Sequence, residues 1–545
     1  MIAAQISSLE KIRTAEDIPA ERLSETVLLR GESFSFQIVF LSDEFKRGKI
    51  AVDSALAEHI ALYSVRDAVM DLPTRADADD DYITKAPGLM PDILLPLEDQ
   101  SDLLSVDAKP ASVWVNIRIP ETCAAGTYSV CISFTSLDSA PVFAQTSLNI
   151  RVLDAALPNT DFLYLQWLHV DCIALAHNVE IYSEAHWALI DQYLHSAAEI
   201  GVSAVLTPVI TPPLDTAVGI KRPCVQLVRI EQCGEEYQFD FSLLKRWIAL
   251  CHKNGIRYFE ISCLFSQWGL ERTPNIMAYK NGAPFYLFDE TVSARDARYA
   301  AFLARFLPAL LAFFKAEGVD DRCLFHISDE PGAQHLENYR YAHALVTDLC
   351  PTQTFIDAIS DIDFYETGLI TTPVVAINHI EPFLSKNIPN LFAYYCCSQY
   401  KEVSNRFLAM PSYRNRIIGL QLYKYNIKGF LHWGFNFYLS QFSYYPINPY
   451  ITTSADGAFP SGDAFLVYPG KNGPLLSLRA LVFQEALQDM RLCALLETYV
   501  GRERVIKLID ESAGMDLTFS NYPRNSSYLP ALHRKIKEQL AALLK

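Results

Sequence analysis

The sequence predicts a multidomain protein of mixed all-β and α/β class: an N-terminal β-sandwich, then a (β/α)8 TIM-like barrel, then a helical C-terminal tail. Three observations carry this expectation. Up to residue 157 the apolar residues alternate with period two; after Leu157 and Pro158 short apolar runs alternate with helical stretches; and beyond residue 500 only helical patterning remains. The domains expected are therefore 1–157, 158–500 and 501–545. The 545 residues are half apolar and one fifth charged, enough hydrophobic material for large cores and too little charge for a disordered chain.

In the first part, residues 33–41 (SFSFQIVFL), 112–119 (SVWVNIRI) and 127–135 (TYSVCISFT) are β-branched or aromatic and alternate as half-buried strands do. Pro120 and Gly126 punctuate them as turn residues. Residues 76–81 (ADADDD) form an acidic loop without the central Gly and terminal Glu of an EF-hand, so no calcium site is expected there. An antiparallel sandwich fits this composition.

The second part reads as strand and helix in turn. Strands are expected at 162–167, 204–209, 258–264, 323–327, 374–377, 391–396 and 429–433, with helices at 184–200, 241–254, 295–317 and from 476 to about 497. Seven or so such units favour a closed barrel over an open sheet. The glycine fingerprints of dinucleotide and phosphate-binding folds are absent.

The net charge of −17 argues against a large phosphate-binding surface, so no nucleic acid is expected as partner. The longest apolar stretch, 302–314, is interrupted by Arg305 and too short to span a bilayer, so no membrane span is expected. Residues 1–13 lack an export-signal pattern, which predicts a cytoplasmic protein with twelve reduced thiols, though a secreted chain trimmed of its signal would read the same. Cys123 and Cys131 are expected as buried free thiols rather than a bridge.

In a parallel barrel the chemistry sits where strands end at their C-terminal side. Trp167 and His169 follow the first expected strand, Ser266, Gln267 and Trp268 the third, Asp329 and Glu330 the fourth, Asn378 and His379 the fifth, Ser398 and Gln399 the sixth, and Trp433 and Asn436 the seventh. Aromatic rings beside amides and carboxylates suit a sugar, whose apolar ring faces stack while its hydroxyls accept and donate. His169 with Asp171 lacks a third ligand at a useful spacing, so no metal and no cofactor are expected. Asp361, Asp363 and Glu366 follow a strand-like 354–356 and read as a solvated loop or a rim contact.

The sharpest signal is His326-Ile327-Ser328-Asp329-Glu330-Pro331. Two adjacent carboxylates at a strand end repel, so one keeps its proton to higher pH and can donate it to a leaving oxygen. The plainer alternative is an acidic helix start. Ordinary glycosidases place two carboxylates on opposite sides of the bond. Neighbours fit better a mechanism in which the substrate's own 2-acetamido group is the nucleophile.

Several stretches together resemble glycoside hydrolase family 123, the β-N-acetylgalactosaminidases, and its relative, domain-of-unknown-function family 4091. They are Asp329-Glu330-Pro331, residues 429–436 (GFLHWGFN), 462–470 (GDAFLVYPG), the Arg479 helix ending in 489–496 (DMRLCALL), and in the sandwich 91–96 (PDILLP) and 120–128 (PETCAAGTY). The resemblance implies an exo-acting, retaining β-N-acetylgalactosaminidase with an oxazoline intermediate, acting on a terminal amino-sugar glycan or oligosaccharide. It implies Asp329 as the residue orienting the acetamido group and Glu330 as general acid/base. It also puts Trp433 and Asn436 in the pocket, and makes Asp463 and Tyr468 substrate contacts or loop anchors. Because residues alternate along a strand, Trp433 rather than His432 is expected to face the ligand. The alternatives are a β-N-acetylglucosaminidase, a two-carboxylate enzyme pairing Glu330 with Glu260 or Asp463, and a non-catalytic carbohydrate-binding barrel. A homo-oligomer is compatible with all of these.

Overall fold

A computed structural model describes residues 1–97, 103–137 and 142–544. The N-terminal part is a sandwich of two five-stranded sheets. One runs Ile2–Ser7, Ser33–Leu41, Ala111–Arg118, Ile60–Met70, Gly88–Pro96, and the other Glu25–Arg30, Val142–Ala156, Gly126–Ser136, Lys46–Asp53, Leu104–Val106. The alternation seen in the sequence is the packing: Phe36, Ile38 and Phe40 meet Val113, Val115 and Ile117 and the facing Val130, Ile132 and Phe134. Within the sheets described here the pairing is antiparallel, except that Val142–Ala156 lies parallel to Glu25–Arg30.

The last sandwich strand ends at Ala156, and a closed eight-stranded parallel barrel starts at Leu163–Gln166. It continues through Ala204–Thr207, Tyr258–Ile261, Cys323–Phe325, Thr354–Ile359, Thr372–Ala376, Phe392–Tyr394 and Gly429–His432, which pairs back onto the first. One strand was anticipated only as the short strand-like 354–356. Thr354–Ile359 is the fifth barrel strand, and Asp357 in its middle hides it from an apolar-run search. Inward residues fill the barrel: Leu165, Trp167, Leu206, Leu324, Ile356, Val374, Phe392 and Leu431 form one cluster. Gly429 has no side chain for a packing reason, since a Cβ there would lie 2.5 Å from the Phe392 ring.

A second unforeseen feature is a four-stranded sheet of two hairpins, Arg229–Cys233 with Glu236–Asp240 and Ile276–Lys280 with Ala283–Phe288. It covers the helix Ala297–Glu317, whose Phe302 packs on Tyr237, Phe239 and Phe288. That helix is long and apolar enough by composition to cross a membrane. Here Tyr299, Phe302, Leu303, Phe306, Leu307, Leu310 and Phe314 are buried inside the protein.

The sandwich is fastened to the barrel by charge. The acidic loop holds barrel side chains: Arg414 donates to both oxygens of Asp79 at 2.8 Å, and Lys401 meets Asp77 at 2.6 Å. The tail helices Arg502–Ala513 and Tyr528–Leu543 pack on the long helix Leu478–Val500, and Lys537 reaches Glu32 of the sandwich at 2.5 Å. The twelve cysteines are unbridged. Cys123 and Cys131, expected as buried, are only half-buried: Cys131 alternates with the buried Val130 and Ile132 and so faces out of the sandwich, and Cys123 lies in the connection before that strand.

Candidate functional site

The fourth barrel strand ends at Phe325, and the chain then keeps the strand's alternation. Leu324 and His326 point into the barrel while Phe325 and Ile327 join the outer core. His326 is buried between two carboxylates, Glu260 Oε1 at 3.0 Å from Nδ1 and Asp357 Oδ1 at 3.1 Å from Nε2. Burial works against a charged ring, but Cys263, Asp357 and Glu260 together hold the imidazole well above its ordinary pKa. Asp357 also accepts from the Ile327 and Ser328 amides at 3.0 and 3.2 Å. Burial pushes the Asp357 carboxyl up to about 6 against the pull of His326. This lattice fixes the segment that presents the carboxylate pair.

Asp329 and Glu330 leave that segment in different directions. Asp329 is buried, and its Oδ2 accepts from Gln267 Nε2 at 2.6 Å, on the loop after the third strand. Glu330 has a left-handed backbone, φ 46°, rare for a non-glycine residue. Its Oε1 accepts from the Tyr394 hydroxyl at 2.7 Å, on the seventh strand. Burial first, and Glu330 second, push the Asp329 carboxyl up to about 7. The carboxyl so raised is Asp329, the one expected to orient the substrate.

Around Asp329 other left-handed residues gather: Asp215, Trp268 and Phe442. Gln267 accepts from the Asp215 amide while donating to Asp329. Trp268 donates its amide to the Asp329 carbonyl at 3.2 Å. Its ring is 45% exposed and meets Phe442 edge-on at 6.1 Å. Burial raises the Asp215 carboxyl to about 6.

The other residues singled out from the sequence divide into three groups. Trp433 is half-buried and faces inward as expected, with its indole N–H donating to Asp463 Oδ2 at 3.0 Å and its ring against Phe437 and Phe459. Asp463 is wholly buried beneath it, and burial raises its carboxyl to about 7. His432 points the other way, its Nδ1 accepting from Arg406 at 2.7 Å. His379 is exposed and shares with Glu330 a cavity of about 860 Å³.

A second group is buried under the mouth. Trp167 donates to Glu260 Oε2 at 2.8 Å inside the barrel, so Glu260 is committed to Trp167 and His326. His169 bonds the Trp433 carbonyl through Nε2 at 2.8 Å, and Arg222 lies 3.2 Å from its Nδ1. Burial and Arg222 depress it to about 3, a neutral ring. The same Arg222 grips Asp171 through two 2.7 Å bonds, so a guanidinium stands between the two residues considered for a metal.

The third group does not reach the mouth. The expectation that Asn436 lines the pocket is corrected, and of the two roles open to Tyr468, substrate contact or loop anchor, the structure shows the anchor. Asn436 Oδ1 accepts from the His169 amide at 2.8 Å and its Nδ2 donates to the His169 carbonyl at 3.0 Å, which uses the side chain to tie the eighth strand's loop to the first. Tyr468 is buried at the sandwich interface with its hydroxyl on Asp92 at 2.7 Å. Both were placed by their neighbours in a motif, and motif position does not report which way a side chain packs.

Of the residues lining the cavity, Tyr394 and Glu381 were among those not selected, and Asp361 was expected only as a solvated loop or rim contact. Tyr394 is the last inward residue of its strand, a position the period-two pattern of 391–396 indicates. Asp361 lines the cavity because 354–359 is a barrel strand.

A family model described as the catalytic domain of glycoside hydrolase 123 matches residues 167–496. A solved family 123 glycoside hydrolase from Clostridium perfringens, described for the hydrolysis of glycolipid glycans, aligns with 100% of this chain and 98% of its own. It has a TM-score of 0.73 and 15% identity, a likeness of fold. A cyclomaltodextrinase aligns over 90% of this chain and 85% of its own at 10% identity and a TM-score of 0.30, too loosely to bear on function. The same holds for a Podospora anserina β-mannanase, at 89% and 99% coverage, 12% identity and 0.24. No curated protein matches the sequence.

Proposed function

The chain belongs to glycoside hydrolase family 123, and from that premise we propose that it releases terminal β-linked N-acetylgalactosamine, with net retention, from the glycan of a glycolipid or oligosaccharide. Asp329 accepts the substrate's acetamido N–H, and Glu330 is the acid and then the base. In the first step the acetamido oxygen attacks C1, the Glu330 proton passes to the glycosidic oxygen, and the aglycone leaves as an alcohol. In the second, Glu330 takes a proton from water, whose oxygen attacks C1 and reopens the oxazoline ring. Two inversions at C1 leave the configuration as it was.

The observation that carries this reading is the opposed setting of the two neighbours: Asp329 on Gln267 and Glu330 on Tyr394, from opposite sides of the mouth. Two adjacent acids then act on different atoms of one sugar. Burial and the neighbouring Glu330 raise the Asp329 carboxyl to about 7. A bound acetamido N–H favours the ionised form of Asp329 and so leaves the proton to Glu330. The experiment is release of an aryl leaving group from β-GalNAc, from β-GlcNAc, and from the same sugars with hydroxyl in place of acetamido. Turnover confined to the acetamido sugars is expected. Equal turnover of the others would remove the substrate-assisted mechanism.

A further inference from the structure

Cys396 and Cys397 are adjacent in the sequence, and no other two of the twelve cysteines are. On a continuing strand, neighbours face opposite sides. The seventh barrel strand, Phe392–Tyr394, gives way to a turn at Cys396. The Gln399 amide donates to the Cys396 carbonyl at 3.2 Å, Gln399 Oε1 accepts from the Cys396 amide at 2.8 Å, and Asn405 Nδ2 donates to the same carbonyl at 2.9 Å. The turn brings both thiols to the inward side. Cys396 follows Phe392 and Tyr394 into the barrel interior, and Cys397 packs on that same cluster.

The pair borders the site described above. Cys396 lies two residues beyond Tyr394, whose hydroxyl holds Glu330. Cys397, like Trp433, packs against both the barrel interior and the cluster of Phe437 and Phe459. Cys397 is half-buried and is the sulfur a reagent meets first, since Cys396 is only 8% exposed. The hydrogen bond with Cys397 first, then burial and the charges of Glu330 and Asp463, hold the Cys396 thiol well above its ordinary pKa. Peroxides attack thiolates, so the pair is poorly suited to sensing an oxidant. Among the described residues no third His, Cys, Asp or Glu joins the two sulfurs, which falls short of the ligand set of a structural zinc. The chemistry that suits the pair is a ligand that joins two neutral thiols.

We propose that Cys396 and Cys397 form a dithiol site on the wall of the sugar pocket, that it captures trivalent arsenicals, and that its occupation stops hydrolysis. Capture conserves oxidation state. With an organoarsenic(III) oxide, each sulfur forms a bond to arsenic, the arsenic–oxygen double bond is lost, and the two thiol protons leave with that oxygen as water. Capture depends on the two sulfurs alone. Its effect on turnover rests on the reading of Glu330 as the acid and Trp433 as a wall of the site.

The probe is one equivalent of phenylarsine oxide added to the full chain, read by intact mass, peptide mapping and turnover of an aryl β-GalNAc. Each variant is compared with its own untreated sample. Wild-type protein should gain one phenylarsenic group with loss of one water, mapped to the peptide that carries Cys396 and Cys397. Its kcat/KM should fall by roughly a hundredfold, as it does when a reacting group is displaced by about 1 Å. Excess dithiothreitol should restore turnover and mercaptoethanol should not, because only a second dithiol matches the linked pair of sulfurs. Cys397→Ser should neither keep the group nor lose turnover on treatment. Unmodified wild-type protein, or an adduct that persists in Cys397→Ser, would overturn the site. A labelled protein with undiminished turnover would overturn its place on the pocket wall. If no glycoside is cleaved with or without the arsenical, the enzymatic reading fails by itself, and the mass measurement still decides capture.

Discussion

Asp92 of the sandwich and Arg479 of the barrel's long last helix form a two-pronged ion pair, 2.9 Å at each contact, with neither side chain reaching solvent. Arg479 spends its remaining donors on the carbonyls of Gly462 at 2.6 Å and Phe465 at 3.1 Å. Between those two lies Asp463, whose carboxylate holds the Trp433 indole. Gly434 lets the eighth strand's end touch this loop, because a Cβ there would be 2.6 Å from the Asp463 carbonyl oxygen. A sandwich acid thus reaches an aromatic wall of the site through one guanidinium and one loop.

Asp92→Ala should therefore cost more than a surface ion pair would. A buried charge that loses its partner destabilises by about 3–5 kcal/mol, against less than about 1 kcal/mol for exposed pairs. Chemical denaturation of the full chain measures this, and a drop within the exposed range would show that the pair does not brace the barrel.

Glu330→Gln should lower kcat/KM on an unactivated disaccharide by roughly 10²–10⁴, the range of general acid catalysis. With a dinitrophenyl leaving group, which needs no proton, the first step should recover most of its rate. Burst kinetics separate the two steps, and an equal deficit on both substrates would deny Glu330 the role of acid.

The pH dependence has a definite sign. Asp329 retains its proton up to about 7, so the proton it holds below that pH is lost above it. kcat/KM for the disaccharide should accordingly fall as pH rises through about 7. In Asp329→Asn that limb should move, since the neighbour's charge is gone. A profile flat well into the alkaline range would contradict the raised Asp329 carboxyl.

Tyr394→Phe removes the 2.7 Å bond to Glu330 and nothing that packs. A hydrogen bond to a charged group is worth about 1.5–3 kcal/mol, or about tenfold and upward in rate. The loss should appear in kcat more than in KM, with a shifted pH limb and an unchanged melting temperature. An unchanged pH profile would leave Tyr394 a purely structural residue.

Gly419→Ala tests the barrel's outer packing. A Cβ there would sit 1.9 Å from the Ala486 carbonyl oxygen of the long helix, so backbone must move. Overpacking costs about 1–3 kcal/mol where side chains can yield, and more here. Wild-type stability of this variant in thermal denaturation would mean the two helices are not in contact.

The sandwich and the barrel were legible in the sequence because alternation and strand-helix rhythm are local. Where a strand carries a buried charge the signal fails. Asp357 breaks the apolar run of 354–359, and with only 354–356 read as strand-like Asp361 looked like a solvated loop or rim contact rather than a cavity wall. The inserted hairpins 229–240 and 276–288 were hidden because their strands are short, five or six residues each, and mix exposed polar residues with the few apolar ones that reach the core.

By itself the sequence determined the order of elements, the position of Asp329-Glu330-Pro331 past a strand, and that Trp433 and His432 face opposite ways, all of which follow from neighbours a few residues apart. Only the tertiary structure decided which way each carboxylate turns and what receives it. Gln267 is 62 residues from Asp329 and Tyr394 is 64 from Glu330. Asn436 and His169, locked to each other, are 267 apart. Contacts across such separations are set by barrel closure and side-chain packing, which no local pattern encodes.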